Sequence, residues 1–268
     1  MGQLPFAADA PVSVARVGLK ARDAESLADY YIKVLGLEEL RRSNGKIGLG
    51  AGGRELLEIE GSSSLQLGDE RSAGLYHTAF LLPSRDDLAR WVGHAVELGI
   101  GISGASDHLV SEAIYIYDPE GNGIEIYRDR QPEEWPRREG RVAMATERLD
   151  LHALHASLPK GDTGWSGIPE NTIVGHVHLR VGDTKTAEGW WNDEMKFDTM
   201  VSYGDSAVFL STGGYHHHIG ANSWQSAGAG QRAKDRTGLS FVELAAKSGK
   251  SLGEKTDPWG NVIRTVAA

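Results

Sequence analysis

Three segments of this 268-residue chain repeat one helical pattern behind a short alternating stretch, and that repetition limits the fold more than any other feature. After Asp23, apolar residues fall at Leu27, Tyr30, Tyr31, Val34 and Leu35. After Asp86 they fall at Leu88, Trp91, Val92, Ala95 and Val96. After Asp183 they fall at Ala187, Trp190, Trp191 and Met195. This spacing predicts helices with one buried face, capped by the preceding Asp or a neighbouring Ser or Thr. Each helix follows a strand-like stretch (14–20, 75–81 and 175–181) and precedes Gly-punctuated strands. The later turns repeat as well: Gly52-Gly53 matches Gly213-Gly214, and Asp118-Pro119-Glu120-Gly121-Asn122 matches Asp257-Pro258-Trp259-Gly260-Asn261. The unit is strand, helix, then about three strands, and it occurs at 12–61, 74–128, 172–222 and 238–266. The fourth copy is too short to keep its helix.

These repeats predict an α+β fold of four βαβββ modules, the fourth truncated, arranged in two halves and forming curved mixed sheets. Residues 1–128 make the N-terminal half and 172–268 the C-terminal half. The linker, 129–171, opens with a polar, Pro-rich stretch and carries a predicted helix over 146–158.

Composition narrows the chemistry. With 10 His and no Cys, metal ligands are limited to imidazole and carboxylate. Lys and Arg number 28 against 37 Asp and Glu, a net charge of -9 that argues against nucleic acid as a partner. No apolar run of membrane-spanning length and no leader pattern occur, so a soluble cytoplasmic protein without membrane association is expected. Exposed sheet edges would favour a homo-oligomer.

The chemistry-bearing residues gather in copies two and three. His77 stands on the first strand of copy two. Glu125, flanked by Ile124 and Ile126 on its last strand, faces away from both. His176 holds in copy three the position of His77, and His216-His217-His218 falls near the last strand. At these positions copy one carries Arg16 and Glu58 and copy four Phe241 and Arg264; Arg16, Phe241 and Arg264 cannot serve as ligands. Two His and one carboxylate on three strands form the ligand set of a facial triad for non-haem Fe(II).

The repeat unit resembles the module of the vicinal oxygen chelate superfamily, which includes glyoxalase I, bleomycin-resistance proteins and extradiol dioxygenases. The resemblance spans nearly the whole chain. One segment resembles the signature of type I extradiol, catechol 2,3-dioxygenase-like enzymes: His108, Ile114-Tyr115, Asp118-Pro119-Glu120-Gly121 and Glu125. It departs from that signature at Ser106, where Gly, Asn, Thr, Ile or Val is usual.

The resemblance implies cleavage of a catecholic ring by O2, with Fe(II), or Mn(II), as the metal. It implies metal ligands His77, Glu125 and His176, with His108 and Tyr115 bonding substrate or an oxygenated intermediate. It also implies an acid-base His near the last strand of the partner module. Because copy one offers only Arg16, copies two and three are expected to build the site together, with copies one and four as a metal-free counterpart. An ungapped alignment of the two Gly-Gly turns puts Ile219 at the position of Glu58 and His217 on the same face. His217 is therefore taken as the acid-base residue, although a one-residue slip reverses the choice. The partners implied are a small aromatic diol and O2. The alternatives are a glyoxalase-like lyase or isomerase with four protein ligands, or a ligand-sequestering resistance protein. Trp190, Trp191 and Trp224 are candidate pocket walls, the first two fitting a helix core better.

Overall fold

A computed structural model describes residues 3–249 and 253–268. Module one is β1 (Val12–Ala21), α1 (Ala24–Leu35), β2 (Glu38–Ser43), β3 (Lys46–Ala51) and β4 (Arg54–Gly61). Module two is β5 (Gly74–Leu81), α2 (Arg85–Glu97), β6 (Gly104–Asp107), β7 (Ser111–Tyr117) and β8 (Gly123–Asp129). The connection holds β9 (Arg137–Arg138), β10 (Arg141–Val142), β11 (Glu147–Arg148) and α3 (Leu151–Ala156). Module three is β12 (Ile173–Arg180), α4 (Thr184–Met195), β13 (Asp198–Tyr203), β14 (Ala207–Ser211) and β15 (Ile219–Asn222). Module four is β16 (Gly238–Ala246), β17 (Gly253–Thr256) and β18 (Val262–Ala267), with no helix among its described residues.

The three module helices, α1, α2 and α4, begin as their sequences dictate. Asp23, Ser84 and Asp183 each accept a hydrogen bond from a first-turn backbone N–H. Their apolar faces, among them Leu27, Tyr31, Leu88, Trp91, Ala187 and Trp191, enter one continuous core. Burying a large apolar side chain there contributes about 1.5–3 kcal/mol. Trp91 donates its indole N–H to the Val34 carbonyl at 3.0 Å, and the Tyr31 hydroxyl donates to Asp118 at 3.1 Å, so α1 is tied to module two. Asp118 and Asp257 close their turns identically, each accepting the backbone N–H and the side-chain amide of the Asn four residues on.

Within every module the first and last strands pair in parallel: β1 with β4, β5 with β8, β12 with β15 and β16 with β18. The modules join across the halves of the chain. β1 pairs antiparallel with β16, giving a seven-stranded curled sheet from modules one and four. β5 pairs antiparallel with β12, giving a nine-stranded one from modules two and three.

One expectation is corrected in the connection. The helix predicted over 146–158 is confined to Leu151–Ala156, because Asp150 caps it by accepting from the Ala153 N–H. Glu147 and Arg148 are extended instead and pair with Asp107 and Ser106 at the edge of the nine-stranded sheet. No helix among the described residues is long and apolar enough to cross a membrane.

Candidate metal centre and its cavity

Ladder register decides which side chains meet. His178 pairs with His77 and His176 with Ala79 across β5 and β12, while Ala79 pairs with Glu125 across β5 and β8. Strand side chains alternate between faces, so His77, Glu125, His176 and His178 all project from one face. Ile124 and Ile126 enter the core on the other.

The result is a tight convergence. The Oε2 atom of Glu125 lies 2.9 Å from His77 Nε2 and 3.1 Å from His176 Nε2, and the two imidazole nitrogens are 3.4 Å apart. All three side chains are buried. Among the described residues, this cluster of His and carboxylate groups has donor atoms within 4.8 Å of one another. Burial works against charge on Glu125, but the imidazoles of His176 and His77 hold its carboxyl well below the ordinary range. Burial also lowers His176, which favours the neutral, lone-pair-bearing ring that a metal requires. Three N and O donors converging in a buried site fit a divalent first-row cation.

The cluster opens onto a cavity of about 360 Å³. His108 and Tyr115 stand on one side of it. The Tyr115 hydroxyl lies 2.7 Å from His108 Nε2, and His108 Nδ1 lies 2.8 Å from the Ala145 carbonyl. The carbonyl can only accept, so Nδ1 donates, and an uncharged His108 turns the lone pair of Nε2 to the Tyr115 hydroxyl. Tyr115 faces Glu125 directly across the β7–β8 ladder. Burial, and then the Glu125 charge, push its phenol well above the usual value. Tyr76, Phe209 and Trp224 also line the cavity. Trp191 is buried in the core and Trp190 packs against it, so neither lines the cavity.

The three consecutive histidines separate. His217 lines the cavity, its ring centroid 4.1 Å from that of His176. His216 turns toward Asp129, and His218 lies between Ser211 and the Ala7 carbonyl. Burial, and then neighbouring His176, lower His217 well below an ordinary imidazole.

The alignment used to choose among the three is corrected. Gly18 pairs with Glu58 and Ala79 with Glu125, but β12 pairs His178 with Gly220. Gly220, not Ile219, therefore occupies the carboxylate's place, because module three has one extra residue after its Gly-Gly turn. His217 reaches the cavity from the irregular stretch before β15, where strand alternation does not apply.

Sequence reasoning assigns no role to two contributors, His178, which it sets beside His176, and Asp129. His178 is buried against His77, with ring centroids 4.9 Å apart, and accepts from Asn222 Nδ2 at 3.0 Å. Its two-residue offset from His176 was the available signal. Asp129, assigned to the linker, lies on β8 two residues beyond Tyr127 and four beyond Glu125, and the same alternation puts it on their face. His94, His152 and His155 lie on α2 and α3, outside the residues lining the cavity.

The equivalent place in the seven-stranded sheet is filled by ion pairs. Arg16 bonds Glu243 at 2.8 Å and also pairs with Glu55. Glu58 accepts from Arg41 at 2.7 Å and Lys46 at 2.8 Å. The Arg264 guanidinium lies 4.0 Å from the Phe241 ring centroid. Guanidinium groups hold no lone pair for a metal, so fixed cations stand here where the other sheet gathers ligands.

Known proteins share this architecture and much of this sequence. Residues 13–126 match the Glyoxalase/Bleomycin resistance protein/Dioxygenase superfamily. A catechol-2,3-dioxygenase of Bacillus subtilis (strain 168) is 40% identical over 230 residues, covering 84% of this chain and 80% of the relative. Among solved structures, glyoxalase I from Zea mays superimposes with a TM-score of 0.57 at 14% identity, covering 98% of this chain and 94% of its own. The cppA protein from Streptococcus pneumoniae gives 0.55 at 12% identity, covering 96% and 99%. At such identities the two structures speak for the fold alone. With the repeated modules and the sequence match agreeing, the chain belongs to the Glyoxalase/Bleomycin resistance protein/Dioxygenase superfamily.

Proposed function

We propose that this protein is an extradiol ring-cleavage dioxygenase that opens a catecholic ring with O2 at an Fe(II) held by His77, Glu125 and His176. The observation that carries the reading is the convergence of those three donors at the floor of a cavity flanked by His217 and by the His108–Tyr115 pair. The similarity to a catechol-2,3-dioxygenase supports it.

A bound Fe(II) supplies Lewis acidity and an electron path between the diol and O2. The rest is done by the chain. His217 takes a proton from a catechol hydroxyl and returns one as the ring opens, a role suited to an imidazole. Tyr115, held by His108, orients an oxygen of the substrate. Tyr76, Phe209 and Trp224 present aromatic surface to the planar ring and limit water. The C–C bond beside the diol and the O–O bond break. Both oxygen atoms enter the product, and no outside reductant or net proton is consumed.

The cavity wall also points to a substrate class. Among the described residues no Lys or Arg lines it, so an uncharged ring substituent suits the cavity better than a carboxylated one. The reading places the protein in the cytoplasm and leaves Mn(II) as the competing metal. A glyoxalase-like reaction with four protein ligands fits less well, because the described cluster supplies three.

The test is anaerobic loading with Fe(II) or Mn(II), then addition of catechol and air. A yellow ring-fission product with O2 uptake equal to catechol consumed is expected. Metal binding without that product would overturn the reading.

A further inference from the structure

We infer that Asp129 and His216 are positioning residues that fix the tautomer of His217, leaving its Nε2 as a lone pair turned to the cavity. Asp129 Oδ1 lies 2.8 Å from His216 Nε2, and His216 Nδ1 lies 2.8 Å from His217 Nδ1. A carboxylate has no proton to give, so it accepts the Nε2–H of His216. In its uncharged form His216 then carries its lone pair on Nδ1. Two imidazole nitrogens at 2.8 Å need one proton between them, so His217 donates from Nδ1. The tautomer of a histidine is set by the bond its other nitrogen makes, and here that bond is dictated two links back along the hydrogen-bond chain, from Asp129 on β8.

The surroundings hold the chain of bonds in place. His216 is fully buried, packed on the Tyr215 ring with centroids 4.0 Å apart and near Trp135 at 5.2 Å. His217 is held between the rings of His176 and Phe209. No hydrogen bond among the described residues occupies His217 Nε2. A general base that must accept a substrate proton needs a bare nitrogen there, and the Asp129–His216 pair provides it before substrate arrives.

The catalytic consequence rests on the proposed ring cleavage, but the tautomer does not, and the two are measured separately. Long-range 15N–1H correlation on the full-length, histidine-labelled protein without metal reads the tautomer directly. Protonation of His217 at Nδ1 is expected. Asp129→Leu and His216→Phe each remove a link and should release His217 to the Nε2–H form or a mixture. With Fe(II) bound, either variant should lower kcat about 10- to 100-fold, with KM for catechol and metal content unchanged. His217 protonated at Nε2 in the unaltered protein overturns the inference, and that measurement decides the matter even where a variant fails to fold. His217 still protonated at Nδ1 in a folded variant removes the substituted residue from it. The expected tautomer in a protein that cleaves no catechol overturns the functional reading and leaves this one standing.

Discussion

The Nε2 atoms of His77 and His176 lie 3.4 Å apart, although 99 positions separate the two residues in sequence. The antiparallel pairing of β5 with β12 brings them together, and Glu125 on β8 completes the group. Each donor should therefore be needed for metal retention. His77→Ala, His176→Ala and Glu125→Gln are each expected to weaken Fe(II) binding by more than about 100-fold, since loss of mere supporting partners already costs 10- to 100-fold. Metal analysis after dialysis checks this, and full metal content in any one variant would remove that residue from the ligand set.

Tyr115 should affect turnover rather than metal content. Tyr115→Phe removes the hydroxyl that bonds His108 and keeps the ring. We expect kcat to fall about 10- to 100-fold with iron retained. Unchanged turnover would show that the His108–Tyr115 pair is structural.

Gly220 is a packing requirement of the site. A Cβ there would fall 2.9 Å from Cγ of His178, which is itself wedged against His77 and Asn222. Gly220→Ala should cost about 1–3 kcal/mol in chemical denaturation, and it should disturb metal binding through His77. A variant as stable as the parent would mean that His178 has room to move.

Stability should fall on the acid side of neutrality. Burial lowers His218 to about 3, and it lowers His176, His178 and His217 as well. Above about pH 6.5 these imidazoles are neutral whether folded or unfolded. As pH falls below that, the unfolded chain takes up protons that the folded chain refuses, so stability is lost progressively toward about pH 3. Each such group contributes up to about 1.4 kcal/mol per pH unit. Denaturation of the metal-free protein between pH 8 and pH 5 measures the slope. His218→Asn should reduce it, and a flat profile would contradict burial of neutral histidines.

The ion-pair network in the seven-stranded sheet should matter for stability and not for metal. Arg16→Met leaves Glu55, Glu58 and Glu243 without one of their cations. Partial exposure softens the loss to about 1–3 kcal/mol. Iron content and kcat should stay at parental values. A loss of iron would mean that the two sheets are coupled.

Local order was written in the sequence. The spacing of Leu27, Tyr31 and Leu35, the caps at Asp23 and Asp183 and the paired Asp-to-Asn turns each follow from interactions within a few residues. So does the shared face of Glu125 with the cavity, which strand alternation fixes. The helix predicted from residue 146 failed where a long-range pairing, Glu147 with Asp107, competed with local helix propensity.

The tertiary structure turns two inferences into contacts: which modules meet and which histidine faces inward. A strand edge can pair with any other strand edge, so no local rule selects β12 over β1 as the neighbour of β5. The ladder then sets His77, His176 and Glu125 around one point. Tyr215 to His218 lie outside regular strand, where alternation no longer governs direction. His216 turns to Asp129, His218 to Ser211 and the Ala7 carbonyl, and His217 to the cavity, because each buried imidazole must find a partner and those partners come from distant strands and the N-terminal segment.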